Sequence, residues 1–369
     1  MKIQLTTKEI LTPLQNIIGV VEKKQTLPIL SHVLIKAETN ILTLSATDME
    51  LEIKSIQKIS SSDKVNFTIN AKDLINILRK IPSLDEIITF KIKNNNIEIK
   101  IKNNIFKLNS FNIKDFPELP KIENKEEISI EKNKLKKLIE NTSFSIGNQN
   151  SRIYFNGLYF EINEKLFTVV ASDGHRLAIG QYKNNSNLNK NKNIIFPRKS
   201  VLELEKLLNI DDKNENVNIN ISDNFFSLTL NKNITITSSL IDSKFPNYLQ
   251  VIPKNLSNKI IINRLDLLTC LNQVSVFIEN INKNVKLTFK DNDLTIFTHS
   301  ERGQAKTNIK TKNSTKNIEI AFNINYLINI LNKLQGDEIY FIIPGTDISC
   351  LLSEIDNDNF RYIVMPMTI

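Results

Sequence analysis

The sequence predicts an α+β protein in which one unit occurs three times, each copy having two helices packed on antiparallel sheets. Three features recur in the same order along the 369-residue chain: an apolar helical pattern, a strand that ends in a polar turn, and a second, amphipathic helix. The repeat period is about 125 residues, and a repeated unit is typical of a scaffold that binds other molecules.

The first recurring feature is a helix that follows an opening strand. Apolar residues at helical spacing occur in Ile10–Leu14, Leu135–Ile139 and Leu267–Leu271. Such spacing places these side chains on one face of a helix. Each copy is therefore predicted to begin with a strand and a helix that has one apolar face.

The second recurring feature is a strand that ends in a small polar and acidic turn. The three copies are Leu42–Asp48, Phe167–Asp173 and Leu294–Ser300, and their last residues are 125 and 127 residues apart. Because the spacing is nearly constant, the three strands are predicted to be equivalent elements of one repeat.

The third recurring feature is another helix, predicted over Lys72–Lys80 in the first copy, Lys199–Leu207 in the second and Asn325–Lys333 in the third. In the first copy one face carries Leu74, Ile75, Leu78 and Ile81, and the other carries Lys72, Asn76, Arg79 and Lys80. The corresponding polar stripe of the third copy is Asn325, Asn329, Asn332 and Lys333. One face is predicted to pack and the other to face water.

Alternating strands follow each second helix, as in Ile97–Ile101 and Val217–Ile221, and a period of two indicates sheets with one buried face. The first two copies also close alike, with Phe116-Pro117 and Phe245-Pro246. We therefore predict domains at residues 1–125, 126–256 and 257–369. Each domain is predicted to consist of two halves with the order strand, helix, strands.

Composition indicates a folded, soluble protein, since 41% of the residues are apolar and no run approaches the ~18–20 uncharged apolar residues of a membrane span. The first eight residues lack the apolar block of a signal peptide, so a cytoplasmic location is expected. Cys270 and Cys350 are predicted to be buried thiols. A net charge of +8 is compatible with an acidic partner such as nucleic acid, and equally with lysine enrichment through A/T-biased coding.

Catalytic chemistry has little support in the sequence. Of the three histidines, only His175 lies beside other reactive groups, in the run Ser172–Arg176. A hydrolase needs a nucleophile, a base and an acid that converge from separate segments, so we interpret this run as an Asp-Gly turn that shapes a surface pocket. There is no glycine motif for a nucleotide phosphate and no metal-ligand spacing. No catalytic residue, metal or cofactor is predicted.

Short motifs run the full length of the chain in order: Thr26-Leu27-Pro28-Ile29-Leu30, Thr47-Asp48-Met49-Glu50, Asn156-Gly157, Asp173-Gly174-His175-Arg176-Leu177, Phe196-Pro197-Arg198-Lys199, Phe245-Pro246-Asn247-Tyr248 and Tyr362-Ile363-Val364-Met365-Pro366-Met367. This ordered set resembles the bacterial β sliding clamps, the processivity subunits of the replicative DNA polymerase III. The resemblance implies a DNA clamp fold and a non-catalytic homodimer, in which two chains close head to tail into a ring that slides on duplex DNA. It also implies peptide motifs as the means of binding the polymerase catalytic subunit, the clamp loader and repair proteins.

The resemblance assigns residues to three sites. The side chains implied to contact duplex DNA are Lys24, Lys72, Arg79, Gln149, Arg152, Tyr154, Arg198 and Lys199. The implied peptide pocket, between the second and third domains, comprises Phe155, Ser172, Gly174, His175, Arg176, Leu177, Pro246, Val251, Asn323, Tyr326, Val364, Met365, Pro366 and Met367. The implied dimer interface joins the strand of Phe106 to the helix end at Val276 and Phe277 of the other chain.

Some positions depart from the family pattern. Asn150 and Ile153 stand where the family often has basic or aromatic residues near DNA. Gln250 replaces a basic residue at the pocket, and Thr368-Ile369 replaces a common Arg-Leu ending. The contacts with DNA around Asn150 and the choice of peptide motif at the pocket are therefore expected to differ from the family pattern.

The interface strand also lacks the charges that family clamps often carry. Asn103 and Ile105 are uncharged, and Glu301-Arg302-Gly303 is barely acidic. We therefore expect the dimer interface to depend on backbone pairing and apolar contact, with an affinity nearly independent of salt. Two other functions stay open at this point: a monomeric repeat scaffold that binds only peptides, and a nuclease or transferase.

Overall fold

A computed structural model of the chain describes residues 1–21, 27–120, 122, 126–183, 191–210, 215–256, 258–278, 283–313 and 317–367. These residues form two compact units. The first unit contains the described residues of 1–133 and 199–240, and the second contains those of 134–198 and 241–369. The predicted second repeat is thus divided between the two units. The boundaries near residues 125 and 256 stay a prediction from the repeats.

The strands of the first half of the chain are β1 (Lys2–Thr6), β2 (His32–Glu38), β3 (Ile41–Thr47), β4 (Leu51–Lys58), β5 (Val65–Asn70), β6 (Ile87–Lys93), β7 (Asn96–Ile101), β8 (Asn104–Asn109), β9 (Glu126–Glu131), β10 (Gly157–Ile162), β11 (Leu166–Ser172) and β12 (Arg176–Lys183). Those of the second half are β13 (Lys192–Pro197), β14 (Asn216–Ile221), β15 (Phe225–Leu230), β16 (Ile234–Ser239), β17 (Lys259–Asn263), β18 (Asn284–Lys290), β19 (Asp293–Ser300), β20 (Gly303–Lys312), β21 (Ile318–Asn323), β22 (Glu338–Ile342), β23 (Cys350–Glu354) and β24 (Phe360–Val364). The helices are α1 (Thr7–Ile17), α2 (Ala71–Leu78), α3 (Lys132–Thr142), α4 (Arg198–Leu208), α5 (Arg264–Val274) and α6 (Ile324–Leu331).

Among the described residues, one element order occurs six times: a strand, an α-helix and three further strands. The first occurrence is β1-α1-β2-β3-β4, and the last is β21-α6-β22-β23-β24. This result confirms the predicted α+β fold of three repeats with two halves each. Helices and strands depend on apolar patterns that are local in sequence. The same elements therefore form in each half that carries the same pattern.

The first unit contains two antiparallel sheets. The larger sheet has eight strands in the order β5-β2-β3-β4-β16-β15-β14-β9, and the smaller has four in the order β1-β6-β7-β8. The larger sheet is continuous because β4 pairs with β16, with Ile53 opposite Ile236. Among the described residues, β8 pairs only with β7, so it is an edge strand.

The second unit contains one twelve-stranded sheet, in the order β13-β10-β11-β12-β24-β23-β22-β17-β20-β19-β18-β21. Its first eight strands repeat the large sheet of the first unit, with β12 paired to β24 where β4 pairs to β16. Only Ile261–Lys312 and Ile262–Thr311 connect β17 to β20. The part of β20 that precedes Thr311 pairs with β19 on one side. On its other side, no strand of the described residues pairs with it.

Each helix begins directly after a strand, and short polar side chains fix several of these starts. Thr6 forms a capping box with Glu9 at α1, and Asn70, Asn263 and Asn323 cap α2, α5 and α6 by accepting backbone N–H bonds. These bonds satisfy N–H groups that have no partner inside the helix. These four helices therefore each start directly at the end of the preceding strand.

The amphipathic character predicted for α2 is confirmed. Leu74, Ile75 and Leu78 are buried, whereas Asn76 and Arg79 are exposed. None of the described helices is long and apolar enough to cross a bilayer. Both cysteines are buried and unbridged, as predicted, and burial raises the pKa of the Cys350 thiol to about 12.

Candidate binding pocket and basic surface

The predicted Asp-Gly turn connects β11 to β12 and is closed by its own polar groups. Asp173 Oδ1 accepts hydrogen bonds from the backbone N–H of His175 at 3.0 Å and of Arg176 at 3.1 Å. Ser172 Oγ accepts from the Gly174 N–H at 3.1 Å and donates to the Arg176 carbonyl at 2.7 Å. The serine hydroxyl thus stabilises the turn, and it is not paired with the His175 imidazole as a nucleophile would be.

Gly174 is required at this turn for two reasons. Its φ of +95° lies in the left-handed region, which side chains other than glycine enter at a cost. A Cβ atom at this position would also lie 3.3 Å from Cε2 of Phe155. The glycine therefore allows the turn to approach the Phe155 ring, which forms part of the adjacent pocket.

Arg176 is held on several sides below this turn. Its Nε donates to Asp173 Oδ2 at 2.9 Å, and its Nη2 donates to the Phe144 carbonyl at 2.6 Å. The guanidinium also lies over the Tyr326 ring, 4.5 Å from the centroid, and its side chain is 10% exposed. Burial, followed by the charge of Asp173, raises the pKa of Tyr326. The Arg176 side chain thus supports the pocket from beneath.

Aromatic rings form one wall of the pocket beside the turn. Phe155 packs edge-on against Tyr154, with ring centroids 4.6 Å apart, and against Phe245 at 6.1 Å. Phe245 stacks flat on Tyr159 at 4.6 Å. Such arrangements are favourable for aromatic pairs and leave a rigid apolar surface.

Tyr248 secures this wall through its polar end. Its hydroxyl donates to Glu161 Oε2 at 2.6 Å. Burial and this carboxylate raise the pKa of Tyr248 well above the usual value for tyrosine, and the same two causes raise the pKa of Tyr159 to about 12. The neutral Tyr248 hydroxyl is thus the donor that the Glu161 carboxylate accepts.

The last described strand completes the pocket. β24 runs antiparallel to β12 with Leu177 opposite Ile363, and the N–H of Met365 donates to the His175 carbonyl at 2.9 Å. Met365 and Met367 are 37% and 39% exposed, so two flexible apolar side chains face solvent here. The result is an open apolar pocket of about 210 Å³.

Nine of the fourteen predicted pocket residues line this cavity: Phe155, Ser172, Gly174, His175, Arg176, Leu177, Pro246, Val251 and Met365. The other five predicted residues do not line it. Tyr326 lies under Arg176, Val364 is buried in β24, Asn323 caps α6, and the Met367 N–H donates to the Ala321 carbonyl. Pro366 connects the two methionines.

Six further residues line the pocket without having been assigned to it. Arg152 and Tyr154 were predicted to contact DNA, and Phe245, Asn247, Tyr248 and Ile363 had no predicted role. For three of these residues the sequence contained a signal, because Phe245, Asn247 and Tyr248 belong to the same motif as the predicted pocket residue Pro246. Ile363 could be found only from the register of β24.

A loop with several predicted DNA contacts adjoins the pocket. Asn150 and Asn156 clamp it reciprocally: the Asn150 N–H donates to Asn156 Oδ1 at 2.7 Å, and Asn156 Nδ2 donates to the Asn150 carbonyl at 2.8 Å. Asn150 Nδ2 also donates to the Asp173 carbonyl at 3.1 Å. Gln149 and Arg152, on either side of Asn150, are exposed.

The other predicted DNA contacts differ in their surroundings. Lys72 and Arg79 lie on the polar side of α2, and Arg79 is exposed. Arg198 Nη1 donates to the Ile146 carbonyl at 2.9 Å, and Lys199 Nζ binds Asp48 Oδ2 at 2.5 Å. Lys24 lies outside the described residues. The structure therefore leaves some of these cations exposed and engages others in contacts within the fold.

Of the predicted interface residues, Phe106 and Val276 are exposed and Phe277 is half-buried. Phe106 lies on the edge strand β8 and is 38% exposed, and it borders an apolar groove with Ile77 and Ile81. Val276 is 62% exposed at the end of α5, and the adjacent Phe277 ring lies 3.0 Å from where a Cβ of Gly303 would be. Single large apolar residues on a surface are common, but Phe106 lies on a strand that, among the described residues, is a sheet edge with unpaired backbone groups.

Within the described residues, no three histidine, cysteine, aspartate or glutamate side chains are grouped so that they could hold a metal ion. The candidate site is thus an apolar pocket with an adjacent polar loop, and its chemistry is that of binding.

Comparison with known proteins gives matches along the whole chain. Family models of the DNA polymerase III beta subunit match residues 1–120 with the N-terminal domain, 129–247 with the central domain and 249–368 with the C-terminal domain. Among curated relatives, the beta sliding clamp of Haemophilus influenzae is 32% identical and that of Pseudomonas aeruginosa 30% identical, each match covering 100% of both chains.

Solved structures agree in fold. A DNA polymerase sliding clamp from Pseudomonas aeruginosa, crystallised with a ligand, is similar with a TM-score of 0.94 and 30% identity. A sliding clamp from Bartonella birtlesii bound to griselimycin has a TM-score of 0.95 and 31% identity. Both matches cover 100% of each chain.

Proposed function

Because the chain belongs to the DNA polymerase III beta subunit family, the non-catalytic processivity clamps of that polymerase, we propose that two copies close head to tail around duplex DNA. In this proposal β8 of one protomer pairs with β20 of its partner. Two such seams form a ring whose hold on DNA is topological, so that it slides without reading sequence.

The observation that carries this proposal is the order of the strands. Within the chain, two eight-stranded sheets arise where β4 meets β16 and where β12 meets β24. Two four-stranded groups are left over, β21-β18-β19-β20 and β1-β6-β7-β8. Pairing β20 with β8 of a partner gives a third eight-stranded sheet with the same order as the other two. It also covers two edges that would otherwise invite uncontrolled pairing.

We call the pairing of β4 with β16 and that of β12 with β24 the two internal joints, and the proposed pairing of β8 with the partner's β20 the seam. The residue pairs at the internal joints predict the register at the seam. Ile53 faces Ile236 in one joint and Ala178 faces Tyr362 in the other.

The counterparts of these residues at the seam follow from the neighbouring strands. Ala305 is the counterpart of Ile53, because Ala305 faces Thr298 in its hairpin as Ile53 faces Ala46 in the equivalent hairpin. Phe106 is the counterpart of Ile236, since these residues face Ile99 and Leu228 in matching hairpins. Phe106 is therefore proposed to lie opposite the partner's Ala305.

A disulfide tests this register. In the proposed register, Lys107 faces the partner's Gln304, and both positions are exposed. The variant Lys107→Cys with Gln304→Cys is expected to form a covalent dimer on mild oxidation, because directly opposed strand residues have a suitable spacing. Lys107→Cys with Lys306→Cys is the matched control, two residues out of register. Equal cross-linking of both variants, or of neither, contradicts the register.

The pocket beside His175 is proposed to bind short peptide motifs of the polymerase catalytic subunit, the clamp loader and repair proteins. An extended peptide suits a cavity of this kind, which has a rigid aromatic wall, an adaptable Met365 and polar edges at Arg152 and His175. Of the five proposed pocket members outside the cavity, Asn323, Val364 and Pro366 are proposed to shape it rather than to contact the peptide. Val251→Asp should abolish binding of a fluorescent clamp-motif peptide, whereas the same change at exposed Leu249 should not.

Duplex contact is proposed for the predicted side chains that face solvent, Arg79, Gln149 and Arg152, with Lys24 as a further proposal from the family resemblance. Arg198, Lys199, Lys72 and Tyr154 are proposed to add positive potential or shape near the duplex. Phosphate contacts through a few cations give weak binding that carries no sequence information. Removing one of them should weaken binding uniformly across DNA sequences.

A topology experiment tests the ring. Protein loaded on a nicked circular DNA should be retained during gel filtration and should be lost once the circle is cut to a linear form. A linear DNA blocked at both ends should restore retention. Retention on linear DNA with open ends would favour groove binding. Absence of retention on any DNA, with intact peptide binding, would favour the monomeric peptide scaffold.

A further inference from the structure

At the internal joint of the first unit, where β4 pairs with β16, one lysine contacts residues from the other half of the joint. Lys199, the second residue of α4, donates from Nζ to Asp48 Oδ2 at 2.5 Å and to the Val20 carbonyl at 3.3 Å. Asp48 uses its other oxygen, Oδ1, to accept the N–H groups of Glu50 and Leu51. One carboxylate thus closes the turn between β3 and β4 and also holds the cation.

At the internal joint of the second unit, the aspartate of the equivalent turn also holds a cation, but this cation belongs to the same hairpin as the aspartate. Asp173 is the counterpart of Asp48 and closes its turn through Oδ1. Its Oδ2 holds Arg176, which in turn donates to the carbonyl of Phe144, in the single helical turn after α3. In both joints, a carboxylate on the turn and a carbonyl beyond the first helix hold one cation between them.

The register of the repeats identifies the corresponding residues at the seam. Asn70 and Pro197 each pair with the first residue of an equivalent strand, His32 and Gly157, so α2 and α4 begin at equivalent positions. Lys72 is therefore the counterpart of Lys199. Likewise, Ser300 is the counterpart of Asp48, and Phe277 is the counterpart of Val20 at the end of its single helical turn.

We propose that Lys72 of each protomer reaches the partner's Phe277 carbonyl and the partner's Ser300, so that the seam has the cation of the joint but lacks its carboxylate. This inference rests on the proposed dimer. It assigns Lys72 a contact between protomers in addition to its contribution to the positive potential near DNA. It also makes the seam the weakest of the ring's joints, with its strength set by the residue at position 300.

The turn at the seam is already shaped to accept the missing group. Ser300 Oγ accepts the Arg302 N–H at 3.2 Å, as Asp48 Oδ1 accepts the Glu50 N–H at 3.0 Å. An aspartate at position 300 can therefore close the turn with one oxygen and hold the partner's Lys72 with the other. Exposed or half-exposed ion pairs change affinity by about fivefold. Two seams break together, so the dimer dissociation constant should fall by about 25-fold.

The experiment measures that constant for the wild type, Ser300→Asp, Ser300→Asn, and Ser300→Asp combined with Lys72→Gln, at low and high salt. Tightening by Ser300→Asp at low salt is expected, together with its loss at high salt, in Ser300→Asn and in the Lys72→Gln double variant. Tightening that survives Lys72→Gln, or no tightening at all, overturns the proposal.

The disulfide across Lys107 and Gln304 separates this proposal from the dimer itself. If the cross-link forms while Ser300→Asp has no effect, only the role of Lys72 is overturned. If the wild type is monomeric at every concentration and no cross-link forms, the dimer and the role of Lys72 are both overturned. Circular dichroism of each variant confirms that the folded state is retained.

Discussion

Replacing Arg176 by alanine should destabilise the second unit more than any other single change to an arginine in this sheet. Arg176 donates to Asp173 and to the Phe144 carbonyl and lies over the Tyr326 ring. Its side chain is 10% exposed and that of Asp173 16%, so solvent screens these interactions little. The change removes all three contacts at once and leaves Asp173 without its cation.

The magnitude follows from those contacts. A hydrogen bond from a charged group contributes about 1.5–3 kcal/mol and a cation–π contact about 0.5–1 kcal/mol. At the lower ends of these ranges, two such hydrogen bonds and one cation–π contact give a loss of about 3.5 kcal/mol in the free energy of unfolding, in line with breaking one partner of a buried pair. For a unit of about 150–250 residues, this corresponds to a fall of roughly 7–14 °C in the melting temperature.

Scanning calorimetry measures the effect, with Arg361→Ala as the matched control. Arg361 lies on the neighbouring strand β24 and makes one hydrogen bond, from Nη2 to Gln181 Oε1 at 2.9 Å. Its loss should cost about 1 kcal/mol or less. Arg176→Lys should recover less than half of the loss, because an ammonium lacks the planar fork that reaches both acceptors. Equal melting temperatures for Arg176→Ala and Arg361→Ala would refute the reasoning.

Four further changes test separate parts of the structure. Gly174→Ala should cost about 1–2 kcal/mol and weaken peptide binding, because φ is +95° and Phe155 is close, as melting curves and peptide titrations would show. Asn150→Ala should weaken DNA contact by the adjacent loop without unfolding the protein, measured by DNA binding and thermal melts; a lost fold would contradict it. Burial raises the pKa of Glu52 from 4.5 despite Lys54, so the charged form costs stability as pH rises above the unfolded value. Glu52→Gln should therefore raise the melting temperature at about pH 7 and change it little at about pH 4. Phe106→Ala should weaken the dimer by about thirtyfold per seam, with little dependence on salt, and a steep salt dependence of the wild-type dimer would contradict an apolar seam.

The repeated architecture could be predicted from sequence because its signals are local. Helix and strand periods depend on residues a few positions apart, and the caps at Thr6, Asn70 and Asn323 lie next to the helices they start. The turn at Asp173 could be predicted for the same reason, since its carboxylate binds N–H groups two and three residues ahead. Most of the pocket then followed from motifs and family resemblance.

Other parts of the site depend on contacts between residues far apart in the chain. Arg176 binds a carbonyl 32 residues away, Ile363 enters the pocket only through the pairing of β24 with β12, and Lys199 binds Asp48 across 151 residues. No local pattern distinguishes Lys199, tied to a carboxylate, from Arg79, which faces solvent. The sequence alone determined that one unit is repeated three times, because apolar periodicity acts over a few residues. The tertiary structure decided which cations hold the joints and which edges are left open, because strand pairing over long distances sets those neighbours.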